Sequence, residues 1–162
     1  MRRSLVLSLL VILATAALAD ARNVNVPRLL KGSIADARDG GVPVLLPSRI
    51  NLDYAGRTYA GGGGGNDRYA LFLDARPRCG GNACFLASFT GEEGKPLGFK
   101  TNVTLARGIR GAYKPLTCGA SCSPPAIMWI QRGVRYEIQA KALGGRRAFI
   151  RMANSAIRAG AR

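Results

Sequence analysis

Residues 126–157 read AIMWIQRGVRYEIQAKALGGRRAFIRMANSAI, and the change of period inside this stretch decides the fold. Val134, Tyr136 and Ile138 alternate with Arg135, Glu137 and Gln139, which gives a strand one apolar and one polar face. Ile127-Met128-Trp129-Ile130 reads as its partner, and Gly133 supplies the positive φ that a short hairpin loop needs. Beyond Gly144-Gly145 the period lengthens to that of a helix. Phe149, Met152, Ala153, Ala156 and Ile157 then fall on one stripe. A two-stranded hairpin is marginal by itself, so the helix is expected to lie across a larger sheet that contains the hairpin.

Working back from the hairpin, short alternating runs separated by turn residues continue the same pattern. Tyr69, Leu71 and Leu73 share one face of a strand spanning 68–75, with Ala70 and Phe72 on the other. Further strands are expected over 84–90, 101–105 and 109–113, with a turn at Gly91-Glu92-Glu93-Gly94. Val42-Pro43-Val44-Leu45-Leu46-Pro47 is an apolar run fenced by prolines, which cannot donate to a ladder. It is expected as an edge strand or an extended lead-in to the sheet. Gly61 to Gly65 lacks the Lys-Ser/Thr and the following helix of a phosphate-cradling loop, and reads as a flexible hairpin tip. Leu29, Leu30, Ile34 and Ala37 suggest a short helix ended by Asp39-Gly40-Gly41, and Asp20 to Arg28 reads as a loose polar start.

The first 19 residues have the pattern of an export signal. Arg2 and Arg3 precede an apolar run from Leu5 to Ala17, and Ala17-Leu18-Ala19 is a small-x-small cleavage site. The run is short for a membrane span, which needs about 20 apolar residues. Cleavage after Ala19 leaves 143 of the 162 residues, the size of one domain. The net charge of +15 falls to +13 once Arg2 and Arg3 are gone. Such a charge favours anionic polymers or membrane surfaces. The basic residues are nevertheless scattered and lack aromatic interleaving, so they also read as a solvated surface, and specific nucleic-acid recognition is not expected.

Cys79, Cys84, Cys118 and Cys122 are an even set in an exported chain, which points to disulfides. Three pairings are open. Cys79–Cys84 and Cys118–Cys122 are favoured because Gly80-Gly81-Asn82 and Gly119-Ala120-Ser121 supply turn chemistry between the partners. Their spacings and the absence of any histidine do not suit zinc.

The missing histidine also removes the commonest general base and the usual hydrolase relays. Glu92-Glu93 is expected to be solvated in its turn, and Glu137 to pair with an arginine across the sheet. Ser121 and Ser123 have no base nearby in sequence, although Lys114 or Lys141 could approach in space. Trp129 and Tyr136 form a candidate aromatic platform for a ligand, with core packing as the commoner use of such residues. Arg146, Arg147 and Arg151 occupy the first half of the terminal helix, where the helix dipole disfavours positive charge. They form a candidate anion-binding set.

The order of Val42-Pro43-Val44-Leu45-Leu46-Pro47-Ser48, Ile127-x-Trp129-x-x-x-Gly133-Val134-x-Tyr136-x-Ile138 and Met152-Ala153-Asn154-Ser155-Ala156-Ile157 resembles that of small exported bacterial domains of unknown function. These include extracytoplasmic domains attached to anti-sigma and sporulation proteins. The resemblance covers residues 42–158 in pattern and implies a proline-flanked lead-in strand, an antiparallel sheet and a hairpin before a C-terminal helix. The chain departs from those proteins in its four cysteines, and no cytoplasmic or membrane-spanning part is expected from residues 20–162; no functional residue carries over.

The chain is thus read as a signal at 1–19, a polar segment with a short helix at 20–41, and a single α+β domain at 42–162. That domain is expected to be a mostly antiparallel β-sheet with a C-terminal amphipathic helix packed on it and two disulfides. The expected function is that of a non-enzymatic periplasmic or secreted module that binds a protein or another envelope component, with no cofactor and no metal. The alternatives are a binder of anionic polymer or membrane surface, and a carboxylate or Ser-Lys hydrolase.

Overall fold

The computed structural model describes residues 22–79 and 81–162. The export signal read at 1–19 lies outside them. In chain order the described elements are β1 (Arg22–Asn25), α1 (Val26–Leu29), α2 (Lys31–Arg38), β2 (Arg49–Leu52), β3 (Tyr59–Gly64), β4 (Arg68–Asp74), β5 (Phe85–Glu93), β6 (Val103–Thr104), β7 (Arg110–Lys114), β8 (Thr117–Cys118), β9 (Cys122–Ser123), β10 (Ala126–Gln131), β11 (Val134–Ala140) and α3 (Gly145–Ala159). Seven strands form one antiparallel sheet in the order β3-β4-β5-β11-β10-β7-β6. The expected hairpin is β10–β11, with Gln131 paired to Val134. Arg132 as well as Gly133 takes positive φ, 53° and 80°, the sign that a two-residue type I′ connection requires at both positions.

Cross-strand register builds the core in rows. Leu71, Phe89, Ile138, Ile127 and Tyr113 lie side by side across five strands, and Tyr69, Gly91, Tyr136, Trp129 and Gly111 form the next row. The helix α3 covers this face with the stripe read from the sequence: Phe149, Met152, Ala153, Ala156 and Ile157 are all buried. The Phe149 ring lies 5.6 Å from that of Tyr113. At a transfer value of about 1.5–3 kcal/mol for a large apolar side chain, this stripe is a main source of the fold's stability.

Four local expectations are corrected. The glycine run is not a hairpin tip: Gly61 to Gly64 belong to β3 and pair in register with β4, from Phe72 back to Tyr69. The cause is steric. A Cβ on Gly64 would lie 2.3 Å from the Ala37 carbonyl oxygen, and one on Gly40 2.1 Å from that of Arg68. Without side chains, α2 settles backbone to backbone on the edge of the sheet. The stretch from Asp20, expected to be loose, forms from Arg22 the strand β1, paired to β2. Asn25 then caps α1 by accepting the Arg28 N–H at 3.0 Å. Val24, Val26, Leu30, Ile34 and Ala37 enter the same core as the sheet residues. Glu92 and Glu93 end β5 rather than forming a turn. Finally, the strand expected over 101–105 is only Val103–Thr104, because the chain then enters a 3-10 turn at Ala106–Gly108.

The proline-fenced run takes the lead-in role as an extended strap across the core face. It meets the chain's end through a Leu45–Ala161 bridge. The Tyr69 hydroxyl serves both backbone groups of Leu45, accepting its N–H and donating to its carbonyl, each at 3.2 Å. Tyr136 donates to the Pro43 carbonyl at 3.1 Å. Both favoured disulfides are formed, Cys79–Cys84 and Cys118–Cys122. No helix among the described residues is long and apolar enough to cross a membrane.

Candidate functional site

The site is built where the β1–β2 pair meets α3. The Asp53 N–H donates to the Lys141 carbonyl and the Leu143 N–H to that of Asn51, both at 3.0 Å, so this two-stranded ribbon is stitched to the chain leaving β11. On its other side Ser155 of α3 accepts the Ser48 N–H at 3.1 Å and donates to the Ser48 hydroxyl at 3.3 Å. These bonds frame a groove of about 340 Å³. Its floor is apolar, with Ile50, Ala148 and Met152 buried, and its rim carries Asn23, Ser48, Asn51, Ser155, Arg49 and Arg151.

The electrostatics are one-sided. No carboxylate lines the groove. Among the described residues neither Arg49 nor Arg151 makes an ion pair; the three ion pairs join Lys95 and Arg135 to Glu92, and Arg135 to Glu137. Gly144, at the N-cap of α3, offers no side chain to the first turn. A Cβ placed there would lie 3.6 Å from Arg151 Nη2, so the guanidinium folds back toward the positive end of the helix. Two like-signed sources converge there, an arrangement that an anion relieves.

The predicted anion-binding set does not act as a unit. Arg146 donates to the Asn102 carbonyl, tying α3 to the segment before β6. Arg147 is exposed and has no partner among the described residues, while Arg151 alone reaches the groove. Its companion Arg49 carries no such signal in the sequence, because it lies far away along the chain in a segment whose meeting with α3 no local pattern encodes.

Trp129 and Tyr136 are not open to a ligand: they are 0 % and 3 % exposed and stack on each other at 5.4 Å. Burial pushes the Tyr136 hydroxyl up to about 12. Glu137 pairs at 3.6 Å with Arg135 on its own strand, whereas the cross-strand partner of Arg135 is Glu92, at 4.0 Å. A hydrogen bond from Lys95 holds the Glu92 carboxyl below its ordinary range. Ser121 and Lys141 line one cavity, but Lys141 gives its ammonium to the Asn82 carbonyl rather than to a hydroxyl. Among the described residues no group of three or more His, Cys, Asp or Glu is placed to hold a metal. No protein-family model, curated protein or solved structure matches the chain.

Proposed function

We propose that this chain is a non-enzymatic exported module that binds an anionic group of an envelope component in the groove between β2 and α3. One observation carries the reading: two guanidinium groups, Arg49 and Arg151, neither in an ion pair among the described residues, share a groove whose rim holds amides and hydroxyls but no carboxylate. The net charge of +13 after signal removal adds long-range attraction for such a partner. Two disulfides fit an oxidising compartment, and the likeness in pattern to extracytoplasmic domains of anti-sigma and sporulation proteins fits an exported recognition role.

The test separates the groove from overall charge. Binding to phosphatidylglycerol vesicles and to a sulfated polysaccharide matrix is measured across a salt series for two double variants that remove equal charge. Arg49→Gln/Arg151→Gln is expected to lose roughly tenfold or more in affinity, since each charge-assisted hydrogen bond contributes about 1.5–3 kcal/mol. Arg147→Gln/Arg158→Gln, on exposed positions outside the groove, is expected to retain most of it. Equal losses in the two variants would replace the groove by a diffuse surface effect.

A further inference from the structure

The loop joining β4 to β5 is closed by the Cys79–Cys84 disulfide and borders the sheet face opposite the helices. On that face Phe72 pairs laterally with Ser88, and Asp74 with Phe85, while Leu71 and Leu73 point into the core. A cavity of about 370 Å³ lies between the loop and these four side chains. Among the described loop residues Asn82 is anchored. Asn82 donates through its side-chain amide to the Cys122 carbonyl at 2.6 Å, and its own carbonyl accepts Lys141, so one disulfide loop is tied to the other.

Asp74 is the one charged residue among the described core positions, 5 % exposed. It makes no ion pair, and no hydrogen bond to its carboxylate occurs among the described residues. Arg76 and Arg78 follow two and four positions later, yet both are exposed and neither comes within ion-pair distance. Buried charged residues are as a rule paired, and Asp74 lacks a partner among the described residues. This one faces a cavity with aromatic walls. Phe72 stands 38 % exposed beside it.

We propose that this cavity binds an organic cation on an alkyl stem, with Asp74 as its counter-ion and Phe72 and Phe85 flanking it. The ammonium supplies the carboxylate with a charge-assisted hydrogen bond, about twice as strong as a neutral one. The aromatic rings cover the stem and attract the charge through their faces. A metal ion is less well served, since Asp74 is the only acidic side chain of the lining.

The probes are n-pentylammonium, Nα-acetyl-lysine methylamide and the neutral isostere pentanol, each titrated calorimetrically into the oxidised mature protein. At least one cationic probe is expected to bind at least about tenfold more tightly than pentanol. The tighter of the two cationic probes tells whether the site takes a free amine or a lysine side chain. Asp74→Asn, which removes a buried charge and keeps the shape, is expected to lose this preference with its near-UV circular dichroism intact. Phe72→Ala, at an exposed position, is expected to weaken cation binding severalfold. Absence of binding by both cations, equal binding of pentanol, or unchanged affinity in Asp74→Asn would overturn the proposal.

Discussion

Gly64→Ala tests the way the N-terminal helix meets the sheet. Its added Cβ would lie 2.3 Å from the Ala37 carbonyl oxygen and 2.9 Å from the Gly40 nitrogen, both backbone atoms. Relaxed contact needs about 3.5 Å, so α2 must retreat from β3 by about an ångström. Overpacking of this kind costs about 1–3 kcal/mol. The smaller entropy of the unfolded alanine chain returns about 0.4–1 kcal/mol, leaving a net loss of about 1–2 kcal/mol. At about 2–4 °C per kcal/mol for a domain near this size, Tm falls by about 2–8 °C. Gly65→Ala is the internal control, because nothing lies within 4 Å of its Cβ position. It is expected to melt with the parent or slightly above it. Calorimetric melting of the three proteins decides. If Gly64→Ala and Gly65→Ala melt alike, the glycine run is a solvated tip after all and α2 does not rest on it.

Two further outcomes follow from buried polar groups. Tyr69→Phe leaves the Leu45 N–H and carbonyl without the hydroxyl that serves both, and is expected to cost about 2 kcal/mol in urea denaturation. Burial raises the Asp74 carboxyl above its ordinary 3.8, so the folded state holds the proton more tightly than the unfolded one. The parent therefore loses stability as pH rises from 3.8 through the raised value, whereas Asp74→Asn does not. In thermal melts the variant is expected to exceed the parent at neutral pH and to converge with it in acid below about pH 4.

Sequence periodicity carried the sheet and the terminal helix because both present one apolar face, and a face is a local pattern. The β10–β11 hairpin, the alternation of β4 and the α3 stripe were all legible for this reason. The glycine run was not. Absence of side chains reads equally as flexibility or as room for a close neighbour, and only the approach of Ala37 and Gly40 distinguishes them. The polar residues of the Met152–Ile157 motif show the same limit: Asn154 accepts the Ala106 N–H at 2.6 Å and Ser155 meets Ser48, both through the third dimension. Half of the candidate site was legible, since Arg151 stood out against its helix dipole. Arg49 did not, because an arginine on a short strand resembles any solvated surface residue.

The groove is tested most directly by heteronuclear NMR of the mature protein titrated with inorganic pyrophosphate. Amide shifts concentrated at Ser48 to Asn51 and Leu143 to Ala148, and lost in Arg49→Gln/Arg151→Gln, are the predicted result. Shifts spread over other exposed arginines such as Arg57, Arg76 and Arg147, or unchanged by the double substitution, would contradict it.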